Sequence, residues 1–187
     1  MSANIILFHS VLGLRENERH LARKLGAAGH AVTLPDLYAG VTTDDLEEGF
    51  AIKARIGWDV ICQRARDALA ATPGDTVLAG ISMGAGVVAS VWASRPLAAK
   101  VLLLHGLATV PANIRPGLPV QLHVADTDPF FPELDVRAWQ HAAEAARTGV
   151  RIFRYPNSGH YFSDPALPDY NDTAAALLWQ RVLAFLD

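Results

Sequence analysis

Residues 76–94 read Thr-Val-Leu-Ala-Gly-Ile-Ser-Met-Gly-Ala-Gly-Val-Val-Ala-Ser-Val-Trp-Ala-Ser, and this stretch decides the fold. Thr76–Gly80 is a short apolar run of strand character, and Ala85–Ser94 is an apolar helical run. Between them, Gly80-Ile81-Ser82-Met83-Gly84 leaves room only for a sharp strand-to-helix turn. Such a turn forces the central serine into a strained backbone conformation, which small residues on either side make possible. The Ser82 hydroxyl is then lifted above the carboxyl end of the strand, and the Met83 N–H lies at a helix N-terminus, where it can donate to a developing negative charge. The segment lacks the Gly-Lys-Ser/Thr ending of a phosphate-binding loop and does not follow the first strand.

The same strand-then-helix alternation extends in both directions. Further strands are predicted at Asn4–His9, Ala31–Pro35, Lys100–Leu104, Val120–Val124 and Val150–Tyr155. Most are continuously apolar, the pattern of strands buried on both faces of a parallel sheet. Helices are predicted over Arg15–Ala28 (Leu21, Leu25 and Ala28 on one face) and Leu134–Ala146 (Leu134, Trp139, Ala142 and Ala146). A last helix, capped by Asn171, turns Leu178, Val182 and Phe185 inward. The expected fold is α/β: a doubly wound, mostly parallel sheet of about six strands with helices on both faces, one domain over 1–187. Residues 36–73 interrupt the alternation with a longer connection that carries an acidic cluster (Asp44, Asp45, Glu47 and Glu48) and one long helical pattern through Ala71. Thr42-Thr43-Asp44-Asp45 reads as a capped helix start with its acids at the positive end. A second reading makes the excursion the wall of a pocket.

The chain has 187 residues, 51% hydrophobic and 19% charged, with a formal net charge of −3. This suits a soluble globular protein, and the absence of a basic stripe argues against nucleic acid as a partner. The single cysteine, Cys62, allows no internal disulfide, so a cytoplasmic setting is expected. The opening MSANIILFHS lacks the basic flank and long apolar core of a signal peptide, and no run is long enough to span a membrane.

A serine hydroxyl needs a base within hydrogen-bond reach. Of the seven histidines, His160 stands in Asn157-Ser158-Gly159-His160, directly after the final strand, and so on the sheet edge where Ser82 lies. His20 and His141 fall in helical patterns, His30 in a helix-to-strand turn, and His123 inside a strand. An acid must hold the imidazole from its far side, and the loop after the penultimate strand supplies both Asp126 and Asp128. Nucleophile, acid and base thus occur in the chain order of the α/β-hydrolases. A second oxyanion donor is expected from the loop after the first strand, with Val11 N–H the candidate and Gly13 permitting the turn. Two other readings use the same residues: a metal-dependent hydrolase with His123, Asp126, Asp128 and His160 as ligands, and a silent hydrolase fold that binds a small ligand or a protein.

These residues resemble the dienelactone hydrolase family of the α/β-hydrolase superfamily. The likeness runs in order through His9–Leu14, Pro35–Gly40, the Gly80–Gly84 turn, Leu104-His105-Gly106, Asp128-Pro129-Phe130-Phe131, Gly159–Phe162 and the closing helix. It implies a catalytic triad of Ser82, Asp128 and His160, oxyanion donors at Val11 and Met83, hydrolysis of a small ester or lactone through an acyl-enzyme, and no cofactor. Pro129 supports Asp128 over Asp126 as the acid, because it holds the preceding residue extended; Asp126 is expected to cap turn amides. Leu12, Tyr38, His105, Phe130 and Tyr161 are expected to line the substrate pocket. In two respects the chain departs from the family. Where family members carry a cysteine nucleophile and a glutamate in the oxyanion loop, it has Ser82 and Ser10. Tyr161-Phe162-Ser163-Asp164 also lacks the arginine that binds a substrate carboxylate, and the acidic cluster at Asp44–Glu48 cannot help to attract an anion, so neutral esters or lactones are the expected preference.

Overall fold

In the computed structural model, which describes residues 2–187, the chain runs β1 (Asn4–Phe8), α1 (Glu16–Ala27), β2 (Ala31–Thr33), α2 (Leu46–Ile56), α3 (Trp58–Ala70) and β3 (Val77–Ile81). It continues through α4 (Met83–Trp92), β4 (Val101–Leu104), β5 (Pro119–Ala125), α5 (Glu133–Ala145), β6 (Gly149–Tyr155) and α6 (Asp172–Leu186). The strands form one sheet in the order β2-β1-β3-β4-β5-β6, and every neighbouring pair is parallel. The sheet is therefore parallel throughout rather than mostly so.

Alternate strand residues feed two cores. Ile6, Phe8, Leu78, Leu103 and Leu122 face one, covered by α2, α3, α4 and α5. Ile5, Leu7, Ala79, Leu102 and Leu104 face the other, covered by α1 and α6. Each fully buried side chain of this kind contributes roughly 1.5–3 kcal/mol. That is why β3 and β4 carry no polar alternation, whereas β5 alternates buried Gln121 and His123 with Val120, Leu122 and Val124.

Three helix faces differ from the sequence expectation. In α1 the inward stripe is Glu18, Leu21 and Leu25, while Ala28 is exposed; the turn above Leu21 is filled by a buried glutamate. In α5 the stripe is Val136, Trp139 and Ala143, with Leu134 and Ala142 exposed. Trp139 sets that phase, donating its indole N–H to Ala108 O at 2.6 Å. In α6, Leu186 takes the fully buried place below Leu178 and Val182, and Phe185 is half-buried. Its cap is as expected: the Asn171 side chain accepts from Ala174 N–H at 3.0 Å.

The long connection holds two helices, not one. Gly57, at φ 88°, turns the chain sharply between α2 and α3, a backbone conformation that favours glycine. The α2 start is capped by Asp45, which accepts from Glu48 N–H at 2.7 Å. Strand order reverses between β1 and β3, leaving a crevice at their carboxyl ends, where ligands bind in open parallel sheets. No helix among the described residues is long and apolar enough to cross a membrane.

Candidate active site

Ser82 stands between β3 and α4 with φ 50° and ψ −109°, the strained backbone expected of a serine raised on a tight turn. The flanking glycines are sterically required. A Cβ on Gly80 would meet Gly84 O at 2.2 Å, and one on Gly84 would meet Phe8 O at 2.2 Å. Met83 opens α4, so its N–H has no carbonyl partner within the helix, and Met83 lines the same cleft as Ser82.

Three side chains from separate loops form one hydrogen-bonded line. Ser82 Oγ lies 2.8 Å from His160 Nε2, and His160 Nδ1 lies 2.6 Å from Asp128 Oδ2. Since a carboxylate only accepts, Nδ1 carries the proton and Nε2 is left with its lone pair toward the serine. Both His160 and Asp128 are buried. The second carboxylate oxygen of Asp128 accepts from Phe130 N–H at 2.9 Å, which fixes the plane of the group. Asp126 is exposed, and the turn amide held by an aspartate here, that of Phe130, is held by Asp128.

The loop after β1 is pinned by His9. Its Nδ1 lies 2.7 Å from Ser10 O, and its Nε2 accepts from Leu37 N–H at 3.1 Å, across to the loop after β2. Burial lowers the His9 pKa, so the ring stays neutral and can both donate and accept. Gly13, at φ 89°, sits so close to Val41 O that a Cβ would lie 2.4 Å from it. Val11, between these two anchors, is buried and lines the cleft beside Ser82.

A second polar line also reaches Ser82. Tyr161 donates its hydroxyl to Ser82 Oγ at 3.2 Å. Behind it, Ser10 Oγ donates toward Glu18 Oε1 at 3.5 Å and accepts from Leu12 N–H at 3.2 Å. Glu18 Oε2 accepts from Arg15 N–H at 3.1 Å, and Arg15 pairs with Asp164 and with Asp44. Burial pushes the Glu18 carboxyl up to about 7, against the pull of neighbouring Arg15 and its own backbone hydrogen bonds. Glu18 and Arg15 carried no chemical signal in the sequence, since a glutamate in the first turn of a helix is ordinarily a solvated one.

The cleft over Ser82 has a volume of about 400 Å³. Its walls include Phe50, Lys53 and Trp58 from the α2–α3 excursion, and Leu107, Phe130 and Phe131 from loops after β4 and β5. The excursion thus both caps a helix and walls the cleft. Of the expected pocket residues, Phe130 lies on this wall, while Leu12 and Tyr161 face a neighbouring cleft of about 290 Å³. Tyr38 is buried beneath, donating its hydroxyl to Met83 Sδ at 3.2 Å. His105 is also beneath, packed edge-on to Phe162 with Nε2 at 2.7 Å from Ser163 Oγ, and burial holds its pKa well below the usual histidine value. These two support the site rather than line it. Lys53, with its ammonium 5.1 Å from the Trp58 ring centroid, is, among the described residues, the one charged side chain on the cleft wall.

The alternative metal ligand set does not converge. His123 has both ring nitrogens engaged, with Tyr155 Oη at 2.6 Å and Gln121 Oε1 at 2.8 Å, while Asp126 points to solvent. Among the described residues, no three His, Cys, Asp or Glu side chains are grouped to hold a metal ion.

Comparison with known proteins agrees with the family resemblance of the sequence. The model of the dienelactone hydrolase family matches residues 2–187. A Synechocystis sp. protein provisionally assigned as a carboxymethylenebutenolidase is 23% identical, over 95% of this chain and 82% of its own length. A dienelactone hydrolase-like promiscuous phosphotriesterase from metagenomic libraries superposes with a TM-score of 0.81 at 20% identity, covering 98% of this chain and 85% of that one. A phospholipase/carboxylesterase from Dyadobacter fermentans gives a TM-score of 0.66 at 15% identity, covering 97% and 90%. At these identities the two structures share the α/β-hydrolase fold with this chain.

Proposed function

Because the chain belongs to the dienelactone hydrolase family, and so to a family of hydrolases, we propose that it is a serine hydrolase that cleaves small esters or lactones through an acyl-enzyme on Ser82. The observation that carries this reading is the unbroken line from Ser82 Oγ through His160 to Asp128, with spacings of 2.8 and 2.6 Å.

In this reading Ser82 Oγ bonds to the acyl carbon while His160 Nε2 takes the hydroxyl proton. The imidazolium so formed is stabilised by the Asp128 carboxylate, which remains ionised. Negative charge collects on the former carbonyl oxygen, toward the N–H groups of Met83 and Val11. A preorganised donor of this kind is worth about 3 kcal/mol of transition-state stabilisation. The Nε2 proton next passes to the leaving oxygen as its bond to the acyl carbon breaks. Water then attacks the acyl-enzyme, giving a proton to Nε2, and Ser82 recovers it as the acid is released. No step requires a group from outside the chain other than water.

The apolar cleft of about 400 Å³ suits a small acyl group. The preference for neutral substrates rests on the missing arginine after His160 and on the acidic cluster at Asp44–Glu48. Asp164 and Asp44 are both committed to Arg15, but Lys53 supplies a cation on the cleft wall. With that cation at hand, the proposed substrate class is small esters or lactones of either charge.

The test is labelling with a fluorophosphonate, with and without EDTA, on the wild type and on Ser82→Ala. Stoichiometric labelling that survives EDTA and vanishes in Ser82→Ala is the expected result. Loss of turnover on chelation would favour a metal-dependent hydrolase, and an unlabelled wild type would favour a silent fold.

A further inference from the structure

Tyr161 follows His160 in the chain, and its hydroxyl also reaches the nucleophile. The phenol is buried, its oxygen lies 3.2 Å from Ser82 Oγ, and its ring packs against Val11 and Leu12 of the loop after β1. The Tyr161 ring is also held edge-on to His160, with centroids 4.4 Å apart. We propose that Tyr161 is a catalytic residue: its hydroxyl is a third oxyanion donor, beside the N–H groups of Val11 and Met83. This rests on the reading of Ser82 as nucleophile.

The argument is one of differential binding. In the resting enzyme the phenol donates to Ser82 Oγ. As Oγ bonds to the acyl carbon, its lone pair is consumed and it becomes a poor acceptor. A full negative charge develops at that moment on an oxygen attached to the same carbon, on the side of the Val11 loop where the phenol is packed. A small rotation moves the hydrogen bond from the weakened acceptor to the strengthened one. Burial pushes the phenol pKa up, opposed by the Ser82 and Ser10 hydroxyls, so the proton stays in place to be donated. Ser10, oriented by Glu18 and Leu12 N–H, completes the support behind it.

The test compares wild type with Tyr161→Phe in ester turnover and in affinity for an alkyl trifluoromethyl ketone, whose hemiketal adduct bears the same oxyanion. We expect kcat to fall by a factor on the order of 10², KM to move less than about threefold, and ketone affinity to weaken by the same factor as kcat. Fluorophosphonate labelling of Ser82 should remain stoichiometric in the variant; its absence from the wild type would sink the nucleophile assignment instead. An unchanged kcat overturns the proposal. So does a lowered kcat with unchanged ketone affinity, which would make Tyr161 a positioning residue. Should Tyr161→Phe fail to fold, 3-fluorotyrosine incorporated at position 161 alone keeps the contacts and strengthens the donor. The ketone should then bind tighter, and an unaltered affinity would again overturn the proposal.

Discussion

Two polar arms meet at Ser82, and they are built for opposite work. The His160–Asp128 arm has spacings of 2.8 and 2.6 Å and ends in a carboxylate fixed by the Phe130 amide. The Tyr161–Ser10–Glu18 side has longer spacings, 3.2 Å at the serine and 3.5 Å at the glutamate, and ends in a carboxyl whose pKa burial raises to about 7. In the proposed mechanism the first arm moves a proton away from the serine and returns it. The second holds its protons where they are and offers them as hydrogen bonds. The difference shows that burial alone does not determine what a carboxyl does. In the proposed mechanism Asp128 faces a ring that becomes a cation, whereas Glu18 faces the Ser10 hydroxyl, the Arg15 backbone N–H and the neighbouring Arg15 charge, which do not offset its burial.

The sharpest way to break the contrast is to remove the charge at the end of the first arm. Asp128→Asn should stabilise the wrong imidazole tautomer and lower kcat by about 10⁴ with little loss of stability. Asp126→Asn, at an exposed position, should leave kcat within about twofold. Steady-state kinetics and thermal melts on the pair decide this, and exchange of the two outcomes would exchange the assignments.

The second arm predicts a smaller effect, in stability and with a definite sign. The folded state raises the Glu18 carboxyl from 4.5 to about 7, so it holds a proton that the unfolded chain has already released. Protonation of Glu18 therefore favours the fold fully below pH 4.5, and that contribution is lost as pH rises to about 7. At about 1.4 kcal/mol per pH unit this amounts to roughly 3 kcal/mol. Denaturant unfolding of wild type and Glu18→Gln at pH 4.5, 6 and 7.5 should show the variant gaining on the wild type by that order. A constant difference across the range would mean that Glu18 titrates normally.

How much of this was legible follows the same division. The first arm and the sheet could be read because each residue sits beside a chain landmark: Ser82 between two glycines, His160 after the last strand, Asp128 before a proline. The continuous apolar runs of β3 and β4 likewise announced a parallel sheet. The second arm could not be read, because Glu18 is a helix-start acid in pattern and becomes buried only when α1 packs on the sheet. Ser10 and Tyr161 become its companions only across sequence separations of 8 residues and more, through contacts no spacing rule encodes. The walls of the cleft were obscured for another reason. The break at Gly57 splits one apparent helix into two, and only that turn brings Phe50, Lys53 and Trp58 to face Ser82 together.

Lys53 gives the smallest expected effect. It is half-exposed and its charge is screened by water, so Lys53→Met should lower kcat/KM for an ester bearing a carboxylate only severalfold, on the order of 0.5–1 kcal/mol. A neutral ester of the same size should be unaffected. Measured at low and high salt, the anionic substrate should lose its advantage in the wild type and show none in the variant. Equal losses on both substrates would mean that Lys53 shapes the cleft rather than recognises charge.

The most direct test of the central claim is to trap the acyl-enzyme. Rapid acid quench of the wild type during turnover of an activated ester, followed by intact-mass and peptide mapping, should show one acyl group per chain, located on the peptide that carries Ser82. Ser82→Ala should fold, show no adduct, and lose kcat by a factor on the order of 10⁴–10⁶. An acyl group found on any other residue, or a Ser82→Ala enzyme retaining more than about a tenth of wild-type kcat/KM, would contradict the account.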